Sequence, residues 1–197
     1  MSTVNSTGLK TRMLIESAIL IAIATVLNEF AAFKASWAFG GSVTFGSMVP
    51  LALICWRWGT KQGLFSAFVF ALLQLVLGVS NVAYGQNILQ MLAIALLDYV
   101  LAFTVYGLSA MFRKEGRNEM VSLVSGIVMT GALRFVCHFF SGWMIWDALW
   151  PNDKGLSSPI YSLVYNIGYM LPDILIAAAI ALISYPMLKK FWQKQNG

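Results

Sequence analysis

LRFVCHFFSGWMIWDALW, residues 133–150, places Arg134 and the chain's single histidine, His138, inside a segment apolar enough to lie in a bilayer. Trp143, Trp146 and Trp150 follow. A charge in the middle of a membrane span costs about 2.5–3.5 kcal/mol on insertion scales, so it marks either a functional site or a buried pair. Aromatic faces beside polar groups in a dry cavity suit a flat, polar or cationic ligand.

The composition around this stretch agrees. The 197 residues are 59% hydrophobic and 11% charged, with a mean hydropathy of +0.74. A soluble domain carries about 25% charged residues, so the balance points to an integral membrane protein. The formal net charge is +5. Its cations are scattered in short groups between apolar runs, a topology signal and not the clustered basic face that nucleic acid needs. Cys55 and Cys137 lie inside apolar runs, and with one histidine they cannot build a Cys/His metal site. The N-terminus is polar and reads as a short cytoplasmic lead-in.

Six apolar segments emerge, at about 13–33, 47–56, 63–79, 88–112, 120–146 and 161–188. About 20 residues cross the hydrocarbon as a helix. The second run is too short for that, so it must tilt, borrow flanking residues or sit deep in the bundle. Lys10 and Arg12, Arg57 and Lys61, Arg113 with Lys114 and Arg117, and Lys189 with Lys190 and Lys194 alternate with loops that hold only Lys34 and Lys154. By the positive-inside rule both termini are cytoplasmic. The expectation is an all-α integral membrane protein: a six-transmembrane-helix bundle forming a single domain over residues 1–197.

Several side chains are candidates for chemistry. Asp98 lies about 15 Å into the fourth span at 1.5 Å per residue. It either faces a cavity, where it meets an amino group or a cationic ring, or pairs with Arg134; Asp173 is the other possible partner of that arginine. His138 lies one turn from Arg134 on the same helix face, and Trp146 lies close to that face. Trp143 reads as part of the interfacial aromatic belt. Tyr161, Tyr165 and Tyr169 recur every four residues in the sixth span, with Asn166 among them. An asparagine amide supplies a donor and an acceptor for a heteroaromatic edge. Ala18 and Ala22 share a face of the first span, which permits close helix packing in lipid. No phosphate-binding loop, HExxH or GxSxG is present in the sequence. Ser141 near His138 leaves an intramembrane hydrolase as a remote reading, and a structural membrane scaffold is the bland one.

Four segments together resemble the thiamine-specific substrate-binding subunits (S components, the ThiT or YuaJ family) of energy-coupling factor transporters. They are GGSVTFGSMVPLAL with RWGTKQGL after it, LLDYVLAF, LRFVCHFFSGWMIW and YSLVYNIGYMLP. The resemblance implies six helices with cytoplasmic termini and high-affinity capture of thiamine from outside the cell membrane of a bacterial cell. It implies a transmembrane coupling protein and two ATPases as partners, with ATP used there and no cofactor in this chain. Residue by residue, it implies ligand contacts at Asp98, Tyr99, His138, Trp146, Tyr161 and Asn166, with a loop tyrosine at Tyr84. In the first outer loop it implies Trp37, or the glycine pair Gly40 and Gly41 in its place. It casts Ala18 and Ala22 as the surface offered to the coupling protein. A subunit of the same class serving another vitamin or a hydroxymethylpyrimidine-like precursor is the nearest alternative. Thiamine suits the candidates, because its thiazolium is cationic and its aminopyrimidine needs paired donors and acceptors.

Overall fold

The structure is a computed structural model that describes residues 6–34 and 41–195. It is mostly helical. The elements are α1 (Ser6–Glu29), a hairpin of β1 (Ala32–Lys34) and β2 (Ser42–Thr44), α2 (Met48–Trp58), α3 (Thr60–Leu77) and the single turn α4 (Val79–Val82). Then come α5 (Ile88–Leu108), α6 (Glu119–Leu149), α7 (Ser158–Met187) and the short α8 (Lys189–Trp192). Five of them, α1, α3, α5, α6 and α7, are long and apolar enough to cross a membrane.

Burial is arranged for lipid. Large apolar side chains such as Leu14, Ile19, Val76, Leu89, Leu175 and Ile183 stand on the surface, while Ser17, Arg57, Gln74, Thr130, Arg134, Asn166 and Asp173 are buried. In a bilayer polar groups must find partners inside the protein, because hydrocarbon offers none. The chain is therefore a membrane protein by structure as well as by composition.

The short second run of the sequence becomes the eleven-residue α2. Of the three ways to accommodate it, the fold sets it deep in the bundle, with Leu51, Ile54 and Trp56 almost wholly enclosed. Trp56 Nε1 donates to the Ser109 carbonyl at 3.2 Å, and Cys55 Sγ donates to the Gly107 carbonyl at 2.9 Å. At the end of α2 the buried Arg57 donates to both carboxylate oxygens of Glu16, at 2.5 and 3.1 Å, and to the carbonyls of Lys190 and Phe191. One guanidinium thus ties α1, α2 and α8 together. The start of α3 and the end of α5 also meet closely: Gly107 lies against the backbone of Gly63 and Leu64.

The hairpin leaves no mark in the sequence pattern, because three-residue strands carry too few alternating positions to register there. Its antiparallel pairing sets Ala32 opposite Thr44, Phe33 opposite Val43 and Lys34 opposite Ser42. It brings Thr44 over α7. Asn87 and Asn118 start α5 and α6 by accepting from the first-turn amides, as cap residues do.

A methyl group at Gly107 would press on backbone that cannot move aside. Gly107→Ala is expected to lower stability by about 1–3 kcal/mol, the usual range for overpacking. Gly8 serves as the control, since a Cβ added there would meet nothing within 4 Å. Gly8→Ala should leave the thermal unfolding midpoint in detergent unchanged or slightly raised.

Candidate functional site

A cavity of about 660 Å³ opens between α1, α3, α5, α6 and α7. This is within the ordinary range for small-molecule sites. Asp98 and Tyr99 reach it from α5, His138 and Trp146 from α6, and Tyr161, Tyr165 and Asn166 from α7.

Two local distortions set these side chains in place. Residues Ala95–Val100 of α5 and Gly142–Trp146 of α6 each form a π-helical turn inside an otherwise α-helical segment. A π turn inserts one extra residue and rotates the helix beyond it, and such bulges gather at functional sites. Asp98 and Tyr99 sit in the first and Trp146 ends the second. Gly142 allows the second to lie against α7, since a Cβ there would run into the Ser162 side chain.

Asp98 is the hub. Its Oδ1 accepts from His138 Nδ1 at 3.0 Å, and its Oδ2 accepts from Ser141 Oγ at 2.8 Å and Trp146 Nε1 at 2.7 Å. The other imidazole nitrogen, Nε2, receives Arg134 Nε at 3.3 Å. An arginine only donates, so Nε2 must be the bare nitrogen and Nδ1 must carry the proton. His138 is thereby held neutral.

Arg134 chooses Asp173, not Asp98. Its Nη1 donates to Asp173 Oδ2 at 3.2 Å and to the Tyr106 hydroxyl at 2.8 Å, and its guanidinium lies 4.9 Å from the centre of the Phe103 ring. The opposite oxygen of Asp173 accepts from the Thr44 amide at 2.8 Å and the Thr44 hydroxyl at 2.6 Å. The hairpin strand β2 is thus pinned to the buried ion pair, and Asp98 is left for the cavity.

The aromatic residues separate into two groups. Trp146 stacks on Trp150 at 5.4 Å between centroids and 12° between planes, and Tyr84 stands edge-on to Trp150 at 4.8 Å. Trp150 lines the cavity, a role its position at the helix end does not suggest, whereas Tyr84 backs the stack from outside the lining. Trp143 turns away, packing on Phe139 and Phe140 with 42% of its surface exposed. Tyr99 lines the cavity with its hydroxyl tied to Gly78 O and Asn81 Nδ2. Asn166 is heavily committed. Its amide hydrogens are met by Ser162 O at 2.8 Å, Ser162 Oγ at 3.2 Å and His138 O at 3.4 Å, and its Oδ1 accepts from Tyr169 at 3.0 Å. One lone pair of that oxygen remains for a ligand amino group. Trp37 lies outside the described residues. Ala18 and Ala22 stand exposed on α1, away from the cavity.

Sequence reading missed Asn28, Glu29, Gln74 and Asn81, which also line the cavity. Gln74 carried a signal, a lone amide inside the apolar run FALLQLVLG. Asn28 and Glu29 close the first span and look like ordinary helix-end polar residues. Three carboxylates, Glu29, Asp98 and Asp147, line the cavity, with no lysine or arginine among its described lining residues. A hydrolytic arrangement is not built here. Ser141 donates to Asp98, and both nitrogens of His138 are engaged, so the serine has no base.

Residues 14–193 match the protein family described as thiamine transporter protein, Thia_YuaJ. The thiamine transporter ThiT of Bacillus subtilis strain 168 is 35% identical over 176 residues, covering 85% of this chain and 86% of that protein. The thiamine transporter ThiT of Lacticaseibacillus paracasei is 29% identical over 169 residues, covering 81% and 79%. A solved structure of ThiT from Listeria monocytogenes superposes with a TM-score of 0.73 at 24% identity, over 93% of this chain and 98% of that one, and so shares the fold.

Removing one member of a buried ion pair strands the other, at a cost of about 3–5 kcal/mol. Asp173→Ala is therefore expected to lower the unfolding midpoint sharply, whereas Ser141→Ala, which removes one of three donors to Asp98, should cost only about 1 kcal/mol. Thermal unfolding of the purified proteins in one detergent compares the two.

Proposed function

The chain belongs to the thiamine transporter family, and from that premise we propose that it is the thiamine-binding S component of an energy-coupling factor importer. Its work is transport and not catalysis. The observation that carries the reading is the charge of the cavity: three carboxylates and no basic side chain among its described lining, with His138 held neutral and Arg134 cancelled by Asp173. That balance suits a cation.

In this reading the thiazolium ring lies against Trp146, backed by Trp150, with Asp98 as its counter-charge. A cation–π contact contributes about 0.5–2 kcal/mol, and a hydrogen bond or contact to a charged group about 1.5–3 kcal/mol. Nanomolar binding takes about 12 kcal/mol, so contacts from several helices must converge. His138 and Tyr99 complete the wall around that ring. The aminopyrimidine lies toward α7, where Tyr161 flanks it and Asn166 accepts from its amino group. Tyr84 steadies the tryptophan stack, and Trp37, outside the described residues, is the remaining candidate ligand contact.

The coarser fold extends in the same way. The five long helices and α2 make six spans of one membrane domain covering residues 1–197, with both termini in the cytoplasm; the alternation of basic residues along the chain supports this. The protein then resides in the cell membrane of a bacterial cell. Ala18 and Ala22, exposed among lipid-facing apolar residues of α1, meet the transmembrane coupling protein, and two ATPase subunits supply the energy.

Thiamine added to the purified protein should quench tryptophan fluorescence saturably at submicromolar concentration. No change at micromolar thiamine, with binding of a hydroxymethylpyrimidine instead, would reassign the substrate. Asp98→Asn should weaken thiamine by about tenfold to a hundredfold, the loss of one charged contact, and weaken an uncharged pyrimidine fragment much less. Equal losses for both would make Asp98 a purely structural residue.

A further inference from the structure

Gln74 is 3% exposed, yet it forms part of the cavity wall. Its Oε1 accepts from Asn28 Nδ2 at 2.7 Å, and the same Asn28 nitrogen donates to Glu29 Oε1 at 3.0 Å. Asn28 Oδ1 in turn receives Ser47 Oγ at 3.5 Å. Both amides are thereby oriented. Turning Gln74 over would set two NH2 groups against each other.

This orientation leaves Gln74 Nε2 buried with no acceptor among the described residues. A buried donor without a partner is costly, all the more so in a membrane span. Gln74 lines the cavity, so a ligand packed against this wall brings the acceptor that Nε2 lacks. Glu29, linked to Gln74 through Asn28, offers the complementary acceptor.

A donor beside an acceptor fits a neutral alcohol, whose oxygen receives one hydrogen bond while its proton makes another. A phosphate ester fits poorly, because the Glu29 carboxylate would repel it. Resting on the thiamine reading above, we propose that Gln74, oriented by Asn28 and paired with Glu29, binds the hydroxyl of the ligand's hydroxyethyl arm and sets specificity for that group. The placement comes from the walls of the cavity. The cationic ring takes Asp98 and Trp146, the pyrimidine takes the α7 wall, and the α1–α3 wall remains for the other polar end of the molecule.

The test compares thiamine with its analogue carrying ethyl in place of hydroxyethyl, by titration of the full chain and of two variants. Gln74→Met removes the amide. Gln74→Glu keeps an acceptor for Asn28 and removes only the donor. The unsubstituted chain is expected to prefer thiamine about tenfold, the value of one hydrogen bond near 1.4 kcal/mol. Both variants should bind thiamine about tenfold more weakly and lose the preference, the ethyl analogue being nearly unaffected. A preference that stays near tenfold in either folded variant, or that is absent from the unsubstituted chain, overturns the assignment of Gln74. Failure of the unsubstituted chain to bind either ligand overturns the thiamine reading, and this assignment with it.

Discussion

Arg134 is a guanidinium enclosed in a membrane bundle, and the polar architecture depends on how its charge is met. Asp173 and Tyr106 take one end and His138 takes Nε. Hydrocarbon supplies no compensating hydrogen bonds, so these partners must come from within the protein. Asp173 then has an oxygen left over, and Thr44 fills it, which draws the hairpin onto α7. His138 has its bare nitrogen occupied, so it must donate from the other and reach Asp98. A single buried cation thereby orders a hydrogen-bonded path from β2 through α7 and α6 to α5.

The consequence for binding is electrostatic. Had Arg134 paired with Asp98, as the sequence allowed, the cavity would have presented a neutralised carboxylate to a cationic ligand. Pairing it with Asp173 separates the buried structural charge from the carboxylate that lines the cavity. The π turns in α5 and α6 complete this division by bringing Asp98 and Trp146 within 2.7 Å of each other across two helices. The indole is then fixed in plane by its own hydrogen bond and by Trp150 on its face. An indole held in this way has little side-chain freedom left to lose.

Much of the candidate site was legible because polar residues are rare in apolar runs. Asp98, His138 and Asn166 stood out against leucine and valine, and all three line one cavity. Trp146 was placed by helical spacing from His138, although the helix between them is not uniformly α. Asn28 and Glu29 gave no such contrast, being at a helix end where polar residues are ordinary. Trp150 lies just past the end of α6, where helical spacing no longer applies, yet it stacks on Trp146. Gln74 was visible but its meaning was not, because an amide's value depends on which of its atoms are already bonded.

Hydropathy and the alternation of basic residues, taken by themselves, determined that this chain folds in a membrane and which runs become its helices. Those properties are summed along consecutive residues, so they survive without knowledge of the fold. The partner of Arg134, the proton position on His138, the burial of α2 and the unspent donor of Gln74 were decided only in three dimensions. Each depends on groups brought together from distant parts of the chain, and a hydrogen bond exists only at a distance and angle that one-dimensional spacing does not specify.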